Sequence, residues 1–230
     1  MHAVRFCALA LLCVSVSGAQ PASTSELTIA YTLLAQKDYD GAVAAFQRGL
    51  SAEPKNAAAH KDLAYTFLKA GENQRARDEF QAALDLDAHD ETSALEYGFL
   101  CYETHKEIDA RRTFDRLRKH GIAPGTRDTA AKAFESIDQP LAEGIDRWKK
   151  SIAKLANPLD PISFSAHWEL AQLAEKRDDL PLASEQYEIC RKLKPQLSSL
   201  LVDLARVWQQ MNEVEQAHAA LLAASRNAEP

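Results

Sequence analysis

Tyr31, Tyr65 and Phe99 recur at steps of 34 residues. An evenly spaced aromatic row suits contact with a ligand rather than the making and breaking of bonds. The side chains that could do bond chemistry are scattered by comparison. The histidines are His2, His60, His89, His105, His120, His167 and His218. No two have the H-E-x-x-H or comparable spacing that would set imidazoles on one helical face for a metal. No C-x-x-C pair occurs, nor a phosphate-cradling glycine loop, nor G-x-S-x-G. Acid pairs such as Asp85–Asp87 and Asp178–Asp179 fall at turns or helix ends, where solvated charge explains them. The expectation is a chain that is not an enzyme and takes no metal or cofactor.

The elements that carry the aromatic row show in the same period. A small residue recurs as Ala42, Ala76, Ala110, Gly144, Ala183 and Ala217. Its bulky partner one helical turn later recurs as Phe46, Phe80, Phe114, Trp148, Tyr187 and Leu221, at steps of 34, 34, 34, 39 and 34. A second small position lies twelve residues earlier as Ala30, Ala64, Gly98, Ala171 and Ala205, with Lys132 the exception. Each unit reads as two helices joined by a short turn. A small residue lets the backbones approach, and the aromatic four residues on fills the space beside the crossing. One such pair cannot bury its apolar face, so successive pairs stack into a solenoid. Few glycines (8 in 230) and abundant alanine agree with helix throughout.

At these residues the chain resembles the tetratricopeptide repeat family, whose pattern is W-x2-L-G-x2-Y, then A-x3-F, then P. The stretch 61–90, "KDLAYTFLKAGENQRARDEFQAALDLDAHD", follows it at Leu63, Ala64, Phe67, Gly71, Ala76, Phe80 and Ala83, and the proline position is filled by Pro54 and Pro195. The resemblance implies an all-α, right-handed solenoid of about six helix-turn-helix repeats over 20–230. The repeats fall at 23–56, 57–90, 91–124, 125–158, 164–197 and 198–230. Pro140 and Pro181 are expected near the start of second helices, where a missing N–H costs nothing. The five-residue insertion 159–163 places Asp160 as an N-cap, with the next helix starting at about Pro161. In the fourth repeat Lys132 and Glu135 occupy core slots, so a register shifted by one residue, with Ala131 and Phe134 inward, is preferred.

The resemblance further implies that first helices line a concave groove, which the residue after the crossing alanine faces. That position is Tyr31, Tyr65 and Phe99, with Leu27, Leu34, Leu68, Leu95 and Tyr102 beside it; Lys61 is a cation in the same half. In the second half the matching positions include Trp168, Gln172 and Arg206. The groove should thus be aromatic early and polar late. Two readings of the row are open: the rings pack between adjacent first helices, or they form a recognition surface. The tyrosine hydroxyls favour recognition, since a ring with a polar tip suits a half-wet interface. Lys61 and Arg206 are too few and too far apart to clamp a carboxylate tail as some family members do.

Before this region, "MHAVRFCALALLCVSVSGAQPAS" carries one cation, Arg5, then an apolar run and small residues, which reads as a signal peptide cut after Ala19. The run is too short to span a bilayer, so no integral membrane segment is expected. Export to a periplasm or to the outside follows. Cleavage would leave Cys101 and Cys190, which read as two buried thiols. A formal charge of -6 argues against nucleic acid, which needs a basic footprint. The expected role is a scaffold that binds a protein or peptide, in envelope assembly or secretion. The alternatives are polysaccharide export or glycan handling, or the N-terminal repeat region of a longer protein with a downstream functional domain. No polar capping helix follows the sixth repeat, which points to a longer array, to self-association through that repeat, or to a pair that tolerates exposure.

Overall fold

The computed structural model describes residues 22–155, 157 and 161–227; the expected leader over 1–19 and the Asp160 cap lie outside them. The helices are α1 (Ala22–Ala35), α2 (Tyr39–Ala52), α3 (Ala57–Ala70), α4 (Asn73–Leu86), α5 (Glu91–Glu103), α6 (Glu107–His120), α7 (Pro124–Ile152), α8 (Phe164–Lys176), α9 (Leu180–Leu193), α10 (Ser199–Gln210) and α11 (Val214–Asn227). No strand occurs among the described residues. Each helix packs chiefly on its neighbours in the chain, the arrangement of an α-solenoid. The small positions Ala42, Ala76, Ala110 and Ala183 are completely buried, and Phe46, Phe80, Phe114 and Tyr187 fill the space beside them. Gly98 shows how tight the crossing is: a Cβ there would meet the Phe114 ring at 2.7 Å. The pattern weakens at Trp148, which is half-buried, and at Leu221, which is exposed.

Helix starts follow local hydrogen bonding. Asp38 accepts from the Gly41 N–H, Asn56 from Ala59 and Asp179 from Leu182, each satisfying a donor that the helix leaves unpaired. The turns inside the pairs share one left-handed residue: Lys37, Gly71, His105, Asp178 and Asn212, with φ between 60° and 80°. Only one of these is glycine. A side chain there costs about 1–2 kcal/mol, less for Asp and Asn, which make local hydrogen bonds. Lys37→Gly and His105→Gly are therefore each expected to raise stability by about 0.5–1 kcal/mol, and Gly71→Ala to lower it by about 1 kcal/mol. Urea unfolding midpoints check this, and a destabilised Lys37→Gly would contradict it.

The fourth unit departs from expectation. The position matching those left-handed residues is Gln139, which lies inside α7, so the unit is one continuous 29-residue helix rather than two joined by a turn. Pro140 does not start a second helix; it sits mid-helix and cannot donate the bond to the Ser136 carbonyl. Ala130 is buried with Phe134, while Ala131 is exposed, so the inward small residue precedes the expected one. After the insertion, Pro161–Ser163 form a 3-10 turn and the α-helix begins at Phe164.

A buried charge cluster sits where α7 runs through. Asp138 accepts from Arg111 Nε at 2.7 Å and from Arg177 at 3.1 Å. Arg111 comes from α6 and Arg177 from the end of α8, so the carboxylate ties three elements together. Beside it Arg112 holds Asp178, the left-handed residue of the α8–α9 turn. In the repeat register the cap slot of a second helix, held by Asp38 and Asp179 elsewhere, falls on Pro140, which has no capping side chain.

Candidate functional site

The aromatic row is built on α1, α3 and α5, the first helices of three successive pairs. Each ring leans on the core aromatic of its own pair. Tyr31 meets Phe46 edge-on at 5.3 Å between centroids, Tyr65 meets Phe80 at 5.0 Å, and Phe99 meets Phe114 at 5.1 Å. Their other sides differ in exposure. Tyr31 is 46% exposed and Phe99 39%, whereas Tyr65 is half-buried against the first core cluster. The row thus has one edge in the core and one in water. The two sequence readings describe opposite sides of the same rings.

Around the row, Leu27 and Leu68 pack against the first core cluster and Leu95 against the second, while Leu34 is half-buried. Tyr102 is the most exposed of the group at 54%. In the second half, Trp168 is half-buried between Phe164, which stacks on it at 5.9 Å, and Tyr187, which it meets edge-on at 5.8 Å. Gln172 is half-buried one turn further on. The structure therefore places the first-half residues on α1, α3 and α5, and Trp168, Gln172 and Arg206 on α8 and α10, beyond α7 in the chain.

Electrostatics divides these groups sharply. Lys61 donates to Asp90 at 2.7 Å, and that bond holds the Lys61 ammonium above its ordinary value. Asp90 also caps α5 through the Thr92 and Ser93 N–H groups. Arg206 makes two bonds to Glu175, at 2.6 and 2.9 Å, and a third contact to Asp203 at 3.0 Å. Those bonds raise its already high pKa further, while Glu175 accepts additionally from the Tyr187 hydroxyl. Both cations expected in the groove are committed within the chain. The Tyr31 hydroxyl donates to Asp62 of α3, and burial, then this bond, push it up to about 12.

Asp62 and Glu96 were not singled out by sequence reasoning. Each stands three residues before a row aromatic, Tyr65 and Phe99, and that spacing was the available signal. Cys101 and Cys190 are both unpaired thiols in the core, and burial pushes them up to about 11 and about 12. No group of three or more metal-type ligands converges among the described residues. No described helix is long and apolar enough to cross a membrane.

Residues 27–91 match the model of the tetratricopeptide repeat family. That segment contains α3 and α4 whole, and its small-and-aromatic crossing recurs in the pairs that follow. Over this segment the chain belongs to the tetratricopeptide repeat family. A comparison with curated proteins finds no significant match. Among solved structures, it is similar to the Pseudomonas aeruginosa pilF protein at 20% identity, covering 90% of this chain and 92% of that one with a TM-score of 0.41. It is also similar to a tetratricopeptide repeat protein from Parabacteroides merdae, at 15% identity, 90% and 79% coverage and a TM-score of 0.45. A third is the first tetratricopeptide domain of Spaghetti (RPAP3) bound to an HSP90 peptide, at 18% identity, 52% and 93% coverage and a TM-score of 0.42. None of these likenesses bears on what this tetratricopeptide chain binds.

Proposed function

We propose that this tetratricopeptide repeat protein is an exported scaffold that holds a segment of a partner protein against the face of α1, α3 and α5. The fold is that of a protein–protein interaction scaffold. The observation that supports this use of it is the aromatic row, whose Tyr31 and Phe99 rings stay partly exposed although core partners are at hand. Rings held on one edge bring contact area with little rotamer entropy to lose, which is what interface anchors require. No catalysis is assigned to the chain; family members typically act without it. Export rests on the apolar leader, and an intact mass beginning at Met1 in cytosol would overturn it.

Replacing Tyr31, Tyr65 and Phe99 together by alanine is expected to weaken capture of the partner about thirtyfold, or 2 kcal/mol. The assay is titration against the partner recovered from the envelope fraction, with helicity followed in parallel. A helical variant that binds normally would move the ligand to another face. Binding to glycan arrays, with no protein captured, would favour the glycan-handling reading instead.

A further inference from the structure

The charges around the aromatic row define what kind of segment it accepts. Helices α1, α3 and α5 carry five carboxylates, Glu26, Asp62, Glu91, Glu96 and Glu103, against the two lysines Lys61 and Lys69. Most of these are already engaged. Glu26 pairs with Arg48, Glu91 accepts the Ile122 and Ala123 N–H groups, and Glu103 accepts from Asn73. Lys61 is held by Asp90. Asp62 and Glu96 are different: among the described residues neither makes an ion pair. Both are half-buried, and they stand at the same place in successive repeats, one helical turn before Tyr65 and Phe99. The Tyr31 hydroxyl reaches Asp62, which places that carboxylate between α1 and α3 beside the rings. Glu96 is near enough to Tyr65 to help raise its pKa, after burial.

We infer that the α1–α3–α5 face binds a cationic peptide segment, with arginine or lysine side chains meeting Asp62 and Glu96 and neighbouring apolar side chains lying on Tyr31, Tyr65 and Phe99. This rests on the scaffold reading above and specifies its partner's chemistry. An anionic segment would find Lys61 already spent on a helix cap, with only the exposed Lys69, one turn after Tyr65, left on these helices. A cationic one finds two carboxylates without ion partners and aromatic rings whose faces attract a guanidinium or ammonium. Exposed pairs of this kind discriminate more than they bind, because a like charge in the same place is repelled.

The test uses the purified chain and three fluorescein-labelled peptides of equal length that repeat Arg-Ala-Leu, Gln-Ala-Leu or Glu-Ala-Leu. Fluorescence anisotropy should show the arginine peptide bound about tenfold more tightly than the glutamate peptide. Asp62→Asn with Glu96→Gln should bring the two within about twofold. Asp40→Asn with Glu215→Gln, which removes the same charge from helices α2 and α11, should leave the preference intact. Equal binding of all three peptides, preference for glutamate, or a preference that survives Asp62→Asn with Glu96→Gln overturns the inference. So does an equal response to the distal pair, which would reduce the effect to net charge, and so does failure of every peptide to bind. Tyr31→Ala with Phe99→Ala separates the two levels. If it abolishes binding that shows no cationic preference, the face is the site and only its charge assignment fails. If it leaves all binding unchanged, the face itself is wrong.

Discussion

Phe80→Ala is expected to lower the free energy of unfolding by about 3–5 kcal/mol, the usual cost of removing a buried aromatic. Phe80 is fully buried in the first core cluster, which runs from α1 to α5. The Tyr65 ring rests on its edge, so the deletion also removes the floor of the recognition row. In a stacked array the loss should not stay local, because each pair is stabilised by the next. Hydrogen exchange should therefore quicken in α1–α5 together, ahead of α8–α11. Urea unfolding measures the size of the loss, and one below about 1 kcal/mol would show that the crossing is not the load carried by this ring. Tyr65→Ala should cost less, since Tyr65 keeps one side in water.

The second large effect is expected at Asp138. Asp138→Ala should destabilise by about 2–4 kcal/mol, because it leaves the buried Arg111 guanidinium with only the longer contact to Asp178, at 3.5 Å. The side chains of Asp138 and Arg111 are 12% and 13% exposed, while Arg177 is wetter at 37%, which places the estimate below that for a fully buried triad. Burial alone would raise the Asp138 carboxyl, but hydrogen bonds from Arg177 and Arg111 outweigh it and hold the group below its ordinary value. The folded chain therefore favours the ionised form more than the unfolded chain does. The resulting stabilisation is complete above the unfolded carboxylate value of about 4, and it is lost as pH falls from there through the lowered folded value. Chemical unfolding at pH steps below neutrality should show this acid sensitivity reduced in Asp138→Ala, and identical pH profiles would contradict it.

The same residue shows where the sequence stops being readable. Asp-x-Pro-Leu occurs twice, at Asp138–Leu141 and at Asp179–Leu182. In the second place Asp179 caps α9 and a turn precedes it; in the first the chain stays helical through Pro140. The motifs are alike but stand two residues apart in the repeat register, so Pro140 rather than an aspartate takes the cap slot, and Asp138 instead meets Arg111 and Arg177, 27 and 39 residues away. Nor does composition mark the missing turn, since lysine and histidine adopt the left-handed conformation elsewhere in the set while Gln139 does not. By contrast the helix crossings were legible, because small and aromatic residues at a fixed period have one packing solution. The aromatic row was legible for the same reason. Its charge was not: whether Lys61 or Asp62 remains unpaired depends on Asp90, which belongs to the next repeat.

The continuous α7 has a mechanical consequence. A stack of helix pairs is a spring, able to yield slightly at every interface along its length. A 29-residue helix is a strut about 44 Å long, at 1.5 Å per residue. Set between α1–α6 and α8–α11, it stiffens a junction that side chains also close directly, since Arg112 of α6 reaches Asp178 and Gln210. Pulling on one end would stretch the helix pairs there before the strut gave way, and the strut's weak link is the single backbone bond withheld by Pro140.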